Sequence, residues 1–581
     1  MHAMSIKHLG ASAITMITCL VVTGCTADAR PTADVLVLHA NVYTANPARP
    51  RSQAIAVRDG TIVATGADAE IEAYRGPATT TIDAQQRTVT PGFTDPHVHF
   101  AQGAARMQQV SLDDAKTIAA YQQRIADYAA ANASVRWIEG GGWTYPVFGA
   151  TGLPDKKYID DVVADRPVAL MDYNFHTMWV NSKALALAGI NRQTADPPNG
   201  TIVKDPKSGQ PTGVLKESAA DLVSRVIPAR TRDERLETLR RGVQYANSLG
   251  IVRVHSAGTD ADNLELLDEL RRNKQLTLRF SIASQVEPPT LTPEALETIE
   301  ARRRAYQDDW IDAGRIKFLA DGLIETHTAA MLAPYSDDRT QKGSMQFEPA
   351  EYRKAVLELD RRGYQIFTHA IGDAMIRLAL DTYEETARIN GTKDARHRIE
   401  HIEDPSQQDV PRFGPLGVVA SMQPLHAYPN DSMLNVWSRN VGPERAQRAF
   451  PWQSIAAGGG RVVFGSDWPV VTLNPWPAVE FLLTRQTTER TPPDGWIPRE
   501  RIKLPEAIHG YTLGAAYAGK RDAKEGSIEP GKVADLIVLS QDPFRVDTYQ
   551  IGKTQVLLTM VGGRVVYQAP TAASMTTTAS K

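Results

Sequence analysis

PGFTDPHVHF, residues 91–100, is a short apolar run that ends in two histidines at β-strand spacing. Alternate side chains of a strand share one face, so Asp95, His97 and His99 are expected to point the same way. Two imidazoles on one face can bind a single metal ion. The alternative is a pair of hydrogen-bonded structural histidines, and the pattern of the remaining chain decides between the two.

The same layout, an apolar run followed by polar residues, recurs along the middle of the chain. Amphipathic stretches such as residues 231–250 and 350–363 separate many of these runs. Alternating strand and helix patterns of this number predict an α/β fold, a parallel (β/α)8 barrel of the TIM type. The further runs are RPVALMDY (166–173), GIVRVHSAG (250–258), LRFSIAS (278–284), GRIKFLADG (314–322), YQIFTHAIGD (364–373), HRIEHIED (397–404), GVVASMQP (417–424) and RVVFGSDWP (461–469).

The two ends of the chain have a purely β pattern. Residues 33–66 contain two strand-like runs with an Asp59-Gly60 hairpin turn, and residues 526–567 repeat the pattern around a Gly-Gly turn. Because chain ends often lie close together, we expect both to form one β-sandwich domain. The predicted parts are a lipoprotein signal peptide (1–24), the sandwich (34–90 and 525–567), the barrel (91–524) with an insertion at about 130–220 that could cover its mouth, and a disordered tail (568–581).

The composition favours a small-molecule enzyme over a nucleic-acid-binding protein. The 581 residues carry 64 basic and 67 acidic side chains, so the net charge is only −3. Both cysteines, Cys19 and Cys25, precede the predicted domains, which therefore contain no disulfide and no cysteine metal ligand. A small molecule is the expected partner, and an oligomer is compatible with the sequence.

The first 25 residues indicate export. Lys7 precedes an apolar run at 11–22 that is too short to span a membrane, and small residues follow it. The run ends in Val-Thr-Gly-Cys, which resembles a bacterial lipobox whose cysteine, here Cys25, becomes the lipidated first residue. We expect a lipid-anchored protein of the bacterial cell envelope, periplasmic or in the outer membrane of a Gram-negative cell. An ordinary cleaved signal that happens to contain cysteine is the alternative.

The predicted strand ends carry metal-ligand chemistry. In a parallel barrel the active site lies at the C-terminal ends of the strands. Imidazole and carboxylate suit zinc, manganese or iron, and a bound ion lowers the pKa of its water to about 7. Asp467 would be both a ligand and the general base, whereas a protonated lysine cannot bind a cation. The candidate residues at these ends are His97, His99, Lys317, His369, His401 and Asp467.

An ordered set of motifs gives the chain a resemblance to a known family. They include PGFTDPHVHF, GGGWTYPVF, IKFLADGLIETHTAAMLAPY, THAIGD, RIEHIED, SMQPLHA, VVFGSDWPV and GSIEPGKVADLIVL. From residue 34 to 567 the chain resembles the amidohydrolase superfamily, in its YtcJ-like branch that includes N-substituted formamide deformylases. The resemblance implies a divalent metal, with zinc expected and manganese or iron as alternatives. It also implies that Lys317 reacts with carbon dioxide to give a carbamate able to bridge two ions.

Two arrangements of the metal site follow from this resemblance. A single ion beside an unmodified Lys317 is one of them. In the other, a first ion binds His97, His99, Lys317 and Asp467, and a second binds Lys317, His369 and His401. For the substrate, His176 and His426 are candidate hydrogen-bond donors to a developing oxyanion, and Trp143 is a candidate pocket residue. A structural role is the alternative for all three.

These observations predict a metal-dependent amidohydrolase that acts on carbon–nitrogen bonds other than peptide bonds. The expected substrates are amides, N-formyl compounds or N-acyl compounds, attacked by metal-activated hydroxide. An ester or cyclic-amide hydrolase with the same site is one alternative. A surface lipoprotein that keeps the barrel without catalysis is the other.

Overall fold

The computed structural model describes residues 32–151, 153–173, 177–198, 200–288, 290–391 and 394–577. Within them, the centre of the fold is an eight-stranded parallel sheet in chain order. Its strands are β1 (Phe93–Val98), β2 (Ile251–Ser256), β3 (Arg279–Val286), β4 (Ile311–Leu319), β5 (Gln365–Gly372), β6 (Arg398–Asp404), β7 (Val419–Met422) and β8 (Arg461–Phe464).

The sheet is nearly closed into a barrel. The residues that follow β8 return to β1, where Val98 forms a parallel bridge with Trp468. Asp467 N donates to His97 O over 2.7 Å, and His99 N donates to Trp468 O over 2.8 Å. The predicted (β/α)8 barrel is confirmed, except that the run RPVALMDY lies outside it.

Helices occupy the connections between barrel strands. The helix before β2, Arg232–Ser248, begins with a capping box between Thr231 and Glu234 and buries Leu239 and Val243. None of the described helices is long and apolar enough to cross a membrane. The longer helices are Ile118–Ala131, Arg232–Ser248, Leu264–Arg272, Pro293–Ala305, Pro349–Arg361, Asp373–Asn390, Pro475–Thr484 and Leu504–Tyr511. Shorter ones are Asp68–Glu72, Phe100–Arg106, Lys157–Asp160, Ser182–Leu187, Asp221–Ser224, Phe413–Leu416, Ser438–Val441, Pro443–Ala446, Trp452–Ala457 and Leu513–Ala518.

The two chain ends form two further sheets, as predicted. Strand Thr88–Pro91 pairs antiparallel with Leu536–Leu539, which joins the N-terminal and C-terminal segments. The hairpin turns at Asp59-Gly60 and Gly562-Gly563 are present, and all four residues have positive φ. One sheet contains Val35–Leu38, Ala54–Arg58, Thr61–Gly66, Thr80–Asp83 and Thr576–Thr577, and the other Asn41–Tyr43, Arg51–Ser52, Thr88–Pro91, Leu536–Leu539, Val556–Val561 and Arg564–Gln568.

The prediction of a disordered tail at residues 568–581 is wrong for most of that segment. Residues Pro570–Met575 form a 3-10 helix, and Thr576–Thr577 pair with strand Thr80–Asp83. Ala572 and Met575 are buried in the core of the end sheets, so apolar contacts order a segment of low complexity. Residues 578–581 and the predicted signal and lipobox lie outside the described residues.

The insertion between β1 and β2 is larger than predicted. Its sheet begins at residue 110 rather than about 130, and its helix Ile118–Ala131 packs on that sheet through Tyr121 and Ile125. The prediction missed this start because Val110–Ser111 is only two residues long. The sheet consists of Val110–Ser111, Ile138–Trp143, Val168–Asp172, Thr177–Val180, Gly200–Lys204 and Pro211–Glu217.

Candidate metal centre

Three predicted ligands meet at the C-terminal end of the barrel. One ligand atom each from His97, His401 and Asp467 lies within 4.8 Å of the others, and all three residues are buried. His97 Nε2 lies 3.3 Å from Asp467 Oδ1. They come from β1, from β6 and from the residues after β8, so closure of the barrel creates the cluster.

The other predicted ligands border the same cluster. His99 Nε2 lies 3.1 Å from Asp467 Oδ1, and the His369 ring centre lies 4.4 Å from that of His401. Lys317, on β4, is 2% exposed. Asp467 affects the pKa of Lys317 and Lys317 affects that of His369, so all six predicted residues are gathered at one end of the barrel.

Two of these residues have unusual backbone conformations. Asp467 and His401 have φ values of 59° and 76°, in the left-handed region that non-glycine residues rarely adopt. Such strain persists only where surrounding structure holds it, and it is common at functional sites. At Asp467 the hydrogen bond from its N–H to His97 O fixes this conformation.

The ligand atoms lie close to one another without forming hydrogen bonds among the described residues. His97 Nε2, His401 Nδ1 and Asp467 Oδ1 are buried and have no hydrogen-bond partner among the described residues. Buried polar atoms are nearly always paired, because an unpaired one costs about 1–3 kcal/mol. Imidazole nitrogens and a carboxylate oxygen are ligands that suit a divalent ion such as zinc. The residues present therefore fit a divalent metal.

A buried chain of contacts orients His97. Its Nδ1 donates to Glu400 Oε2 over 2.6 Å, which leaves Nε2 to face the cluster. Glu400 Oε1 in turn accepts from Arg398 Nε and Nη2 over 2.8 and 2.7 Å. Burial opposes the charge on Glu400, but Arg398 and His97 outweigh it and lower its pKa to about 2. Glu400 is thus an ionised orienting group that the sequence analysis missed, immediately before His401 in the chain.

Lys317 lies in surroundings that disfavour a protonated amine. Burial lowers the pKa of Lys317, while Glu400 and Asp467 act in the opposite direction. Because the pKa of Lys317 is lowered, a larger fraction of its amine is neutral. The neutral amine is the form that can react with carbon dioxide.

Asp321 is a second residue that the sequence analysis missed. Its buried carboxylate accepts backbone hydrogen bonds from Ala330, Ile371 and Gly372 at 2.9–3.1 Å. It also lies 3.5 Å from His369 Nε2. Burial raises the pKa of Asp321 to about 7 although the three N–H groups oppose this. Asp321 therefore ties the loop after β4 to the end of β5 beside His369.

Of the predicted substrate residues, His426 reaches the cluster. Its Nε2 lies 3.5 Å from Asp467 Oδ2, and its ring is stacked on that of His401 at 5.7 Å. Burial disfavours protonation, but Glu403 and Asp467 outweigh it and raise the pKa of His426. Glu403 is held by Trp437, whose Nε1 donates to it over 2.7 Å. His426 is therefore suited to donate a hydrogen bond.

The other two substrate predictions have different outcomes. Trp143 is fully buried in the aromatic cluster of the insertion, where its ring contacts Tyr145, Phe148 and Trp179. Its indole N–H donates to Leu170 O over 2.9 Å. The packing role is thus correct for Trp143, because a fully buried ring offers no surface to a ligand. His176 lies outside the described residues.

Comparisons with known proteins agree with this geometry. The sequence pattern of the amidohydrolase family matches residues 80–567. The chain is 31% identical over 548 residues to the protein LONG AFTER FAR-RED 3 of Arabidopsis thaliana, covering 92% of each chain. It is 27% identical over 551 residues to an N-substituted formamide deformylase of Arthrobacter pascens, covering 92% of this chain and 98% of that one. An uncharacterized metal-dependent hydrolase of Pyrococcus horikoshii has the same fold, with a TM-score of 0.71 and 23% identity over 88% of this chain and 99% of that one.

The family match and the cluster of ligand atoms support the same chemistry. Together they indicate a hydrolase of carbon–nitrogen bonds that depends on a divalent metal. The resemblance derived from the sequence motifs is confirmed, since the match covers the whole barrel and part of the end sheets. The chain belongs to the amidohydrolase family.

Proposed function

We propose that this protein hydrolyses a carbon–nitrogen bond, other than a peptide bond, in a small N-formyl or N-acyl compound, with Zn²⁺ as its metal. The observation that carries the proposal is the buried set of ligand atoms on His97, His401 and Asp467, which form no hydrogen bonds among the described residues. Similarity to an N-substituted formamide deformylase supports the substrate class.

Asp467 is the general base of the proposed reaction. Its carboxylate takes a proton from the attacking water and passes it to the departing nitrogen. Oδ1 faces His97 and His99, whereas Oδ2 lies 3.5 Å from His426 Nε2. When bound, the divalent metal polarises the carbonyl group and makes hydroxide available near neutral pH.

His426 is the proposed donor to the oxyanion that develops on the carbonyl oxygen. Glu403, 3.8 Å from His426 Nδ1, favours the protonated ring and thus a donor at Nε2. Glu400 has a different task, because it acts on His97 and holds the tautomer whose Nε2 is free to bind metal.

Lys317 is a carbamate in the proposed site. Its neutral amine attacks the carbon of carbon dioxide, a nitrogen–carbon bond forms while one carbon–oxygen π bond breaks to leave its electron pair on oxygen, and the amine proton goes to solvent. The product is an anion with two oxygens that can bind two ions. Burial of Lys317 beside the cluster supports this step. One ion with an unmodified lysine is the alternative for the same function.

A substrate panel tests the proposal. The purified protein is offered an N-alkylformamide, an N-acetylamine, an alkyl ester and a cyclic amide, and product formation is followed by chromatography. We expect turnover of a formamide or acylamine by the wild type and by His39→Ala, which alters an exposed histidine of the end sheets. The variant His97→Ala should lose this turnover. Preference for the ester or cyclic amide would replace the proposed substrate class, and no turnover with full metal content would favour a non-catalytic scaffold.

A further inference from the structure

A polar cavity lies at the opposite end of the barrel from the metal centre. Its volume is ≈ 210 Å³, and it is lined by Asp312 near the beginning of β4 and by Gln365 at the beginning of β5. The metal-centre residues Lys317 and His369 follow later on the same two strands. Because these strands are parallel, the cavity opens at the N-terminal face and is separate from the catalytic end.

The lining of this cavity is strongly cationic. Four basic side chains, those of Arg303, Arg315, Lys520 and Arg521, line it together with one carboxylate, Asp312. Asp312 is already shared, since it lies 2.9 Å from Arg315 Nη1 and 3.4 Å from Arg521 Nη2. Arg521 also pairs with Asp309, which lies outside the lining. The lining therefore has more positive charge than its one carboxylate can balance.

Two of these cations lack a carboxylate partner. Neither Arg303 nor Lys520 has a carboxylate oxygen within 4.0 Å among the described residues. Burial lowers the pKa of Lys520, and Arg315 adds to this effect while Asp394 opposes it. The carboxylates of Asp394 and Asp360 and the guanidinium groups of Arg315 and Arg396 thus act on the pKa of Lys520 in opposite directions.

The arginines are held in place before any ligand binds. Arg303 Nη1 donates to Arg362 O over 2.9 Å, and its guanidinium lies 4.6 Å from the centre of the Tyr364 ring. Arg315 Nη2 donates to Gly519 O over 2.8 Å. Fixed donors lose little conformational freedom when they bind an anion.

We propose that this cavity binds a small oxyanion of the phosphate or sulfate type, held by Arg303 and Lys520 against Arg315 and Arg521. Planar guanidinium groups match the geometry of such oxyanions, and an ammonium group adds a point charge. The volume is below the roughly 300 Å³ at which pockets for drug-sized ligands begin, so a small ion fits best. The site is independent of the proposed reaction, and its expected effect is on the stability of the barrel.

Thermal unfolding with inorganic phosphate tests the site. The melting temperature of the full chain is measured over increasing millimolar phosphate, with sodium chloride keeping the ionic strength constant. We expect a rise that saturates in the wild type and is lost in the double variant Arg303→Gln, Lys520→Gln. The matched control is Arg272→Gln, Arg388→Gln, which removes two charges from side chains that are 66% and 73% exposed.

The control separates specific binding from a general salt effect. Exclusion of phosphate from the protein surface also stabilises folded proteins, but it does not saturate and acts equally on all variants. The line width of the phosphate ³¹P resonance with folded protein gives a second measurement, for which Lys520→Gln alone should weaken apparent affinity at least fivefold. No saturable effect in the wild type, or an equal effect in the double variant, would overturn the proposal.

Discussion

His97 Nδ1 and Glu400 Oε2 lie 2.6 Å apart, and both side chains are fully buried although 303 residues separate them in the chain. Ionised Glu400 is paired on its other oxygen with Arg398. The contact therefore fixes which nitrogen of His97 is free, and it connects the metal centre to the polar interior of the barrel.

Replacing Glu400 should weaken metal binding without removing a ligand. Glu400→Gln keeps the size of the side chain but removes the charge that favours the required His97 tautomer. We expect metal affinity to fall about 10- to 100-fold, as is usual for such supporting groups. Competition with a chelator measures this, and Glu358→Gln, which alters an exposed ion pair with Arg361, is the control. Unchanged affinity in Glu400→Gln would show that the contact does not orient the ligand.

Replacing Lys317 tests how many metal ions the site binds. Unit charges about 4 Å apart repel by about 4 kcal/mol at an effective dielectric constant of 20, so an ammonium group here would oppose metal binding. Lys317→Ala should lower metal content and turnover together, and added bicarbonate or a short carboxylate should restore part of both. Lys354→Ala, at an exposed helix position, is the control. Full metal content and normal turnover in Lys317→Ala would exclude the two-ion site.

Asp312 should make stability depend on pH on the acid side. Burial opposes its charge, but Arg315 outweighs this and lowers its pKa from 3.8 to about 2. A lowered folded-state pKa gives stability that is present above about pH 4 and is lost as the pH falls towards 2, in total about 2 kcal/mol. Urea unfolding should find Asp312→Asn less stable than wild type at pH 6, with a smaller difference at pH 3. If Asp312→Asn lowered the free energy of unfolding equally at both pH values, the Asp312–Arg315 pair would not be the cause. An equally large loss in Asp494→Asn, which alters an exposed side chain, would also contradict it.

The lipid anchor stays a prediction, because residues 1–31 lie outside the described part. One acyl chain binds membranes only weakly, so stable anchoring requires a lipidated N-terminus with more than one chain. Cys25→Ala should release the protein from the membrane fraction or block its processing, whereas Cys19→Ala should not. Mass spectrometry of the mature N-terminus shows where the chain begins and whether that residue is lipidated. An unmodified N-terminus elsewhere with unchanged membrane association would remove the anchor.

The sequence predicts the barrel and its candidate ligands because both depend on local pattern. The apolar runs overlap the barrel strands, so His369 and His401 can be assigned to the middle or C-terminal half of their strands without coordinates. The supporting residues cannot be found this way. Glu400 stands beside His401 in the sequence, yet its partner His97 is brought to it only when β1 and β6 meet across the barrel interior.

The errors have similar physical causes. The tail was assigned by composition, whereas the burial of Ala572 and Met575 depends on a surface that only the folded end sheets provide. For Trp143 the sequence left a pocket role and a packing role open, and its partners Phe148 and Trp179 enclose it. In both cases the structure depends on contacts between residues far apart in the chain, which a local sequence pattern does not reveal.

The metal content of ligand variants tests the central claim most directly. The wild type, His401→Ala, Asp467→Asn and the surface control His39→Ala are purified in parallel, and bound metal is determined by plasma mass spectrometry beside turnover of the best substrate. The account predicts at least one divalent ion per chain in the wild type and the control, and loss of both ion and turnover in the two ligand variants. Chelation should abolish wild-type turnover, and added Zn²⁺ should restore it. Wild-type metal content and turnover in His401→Ala and Asp467→Asn would contradict the account.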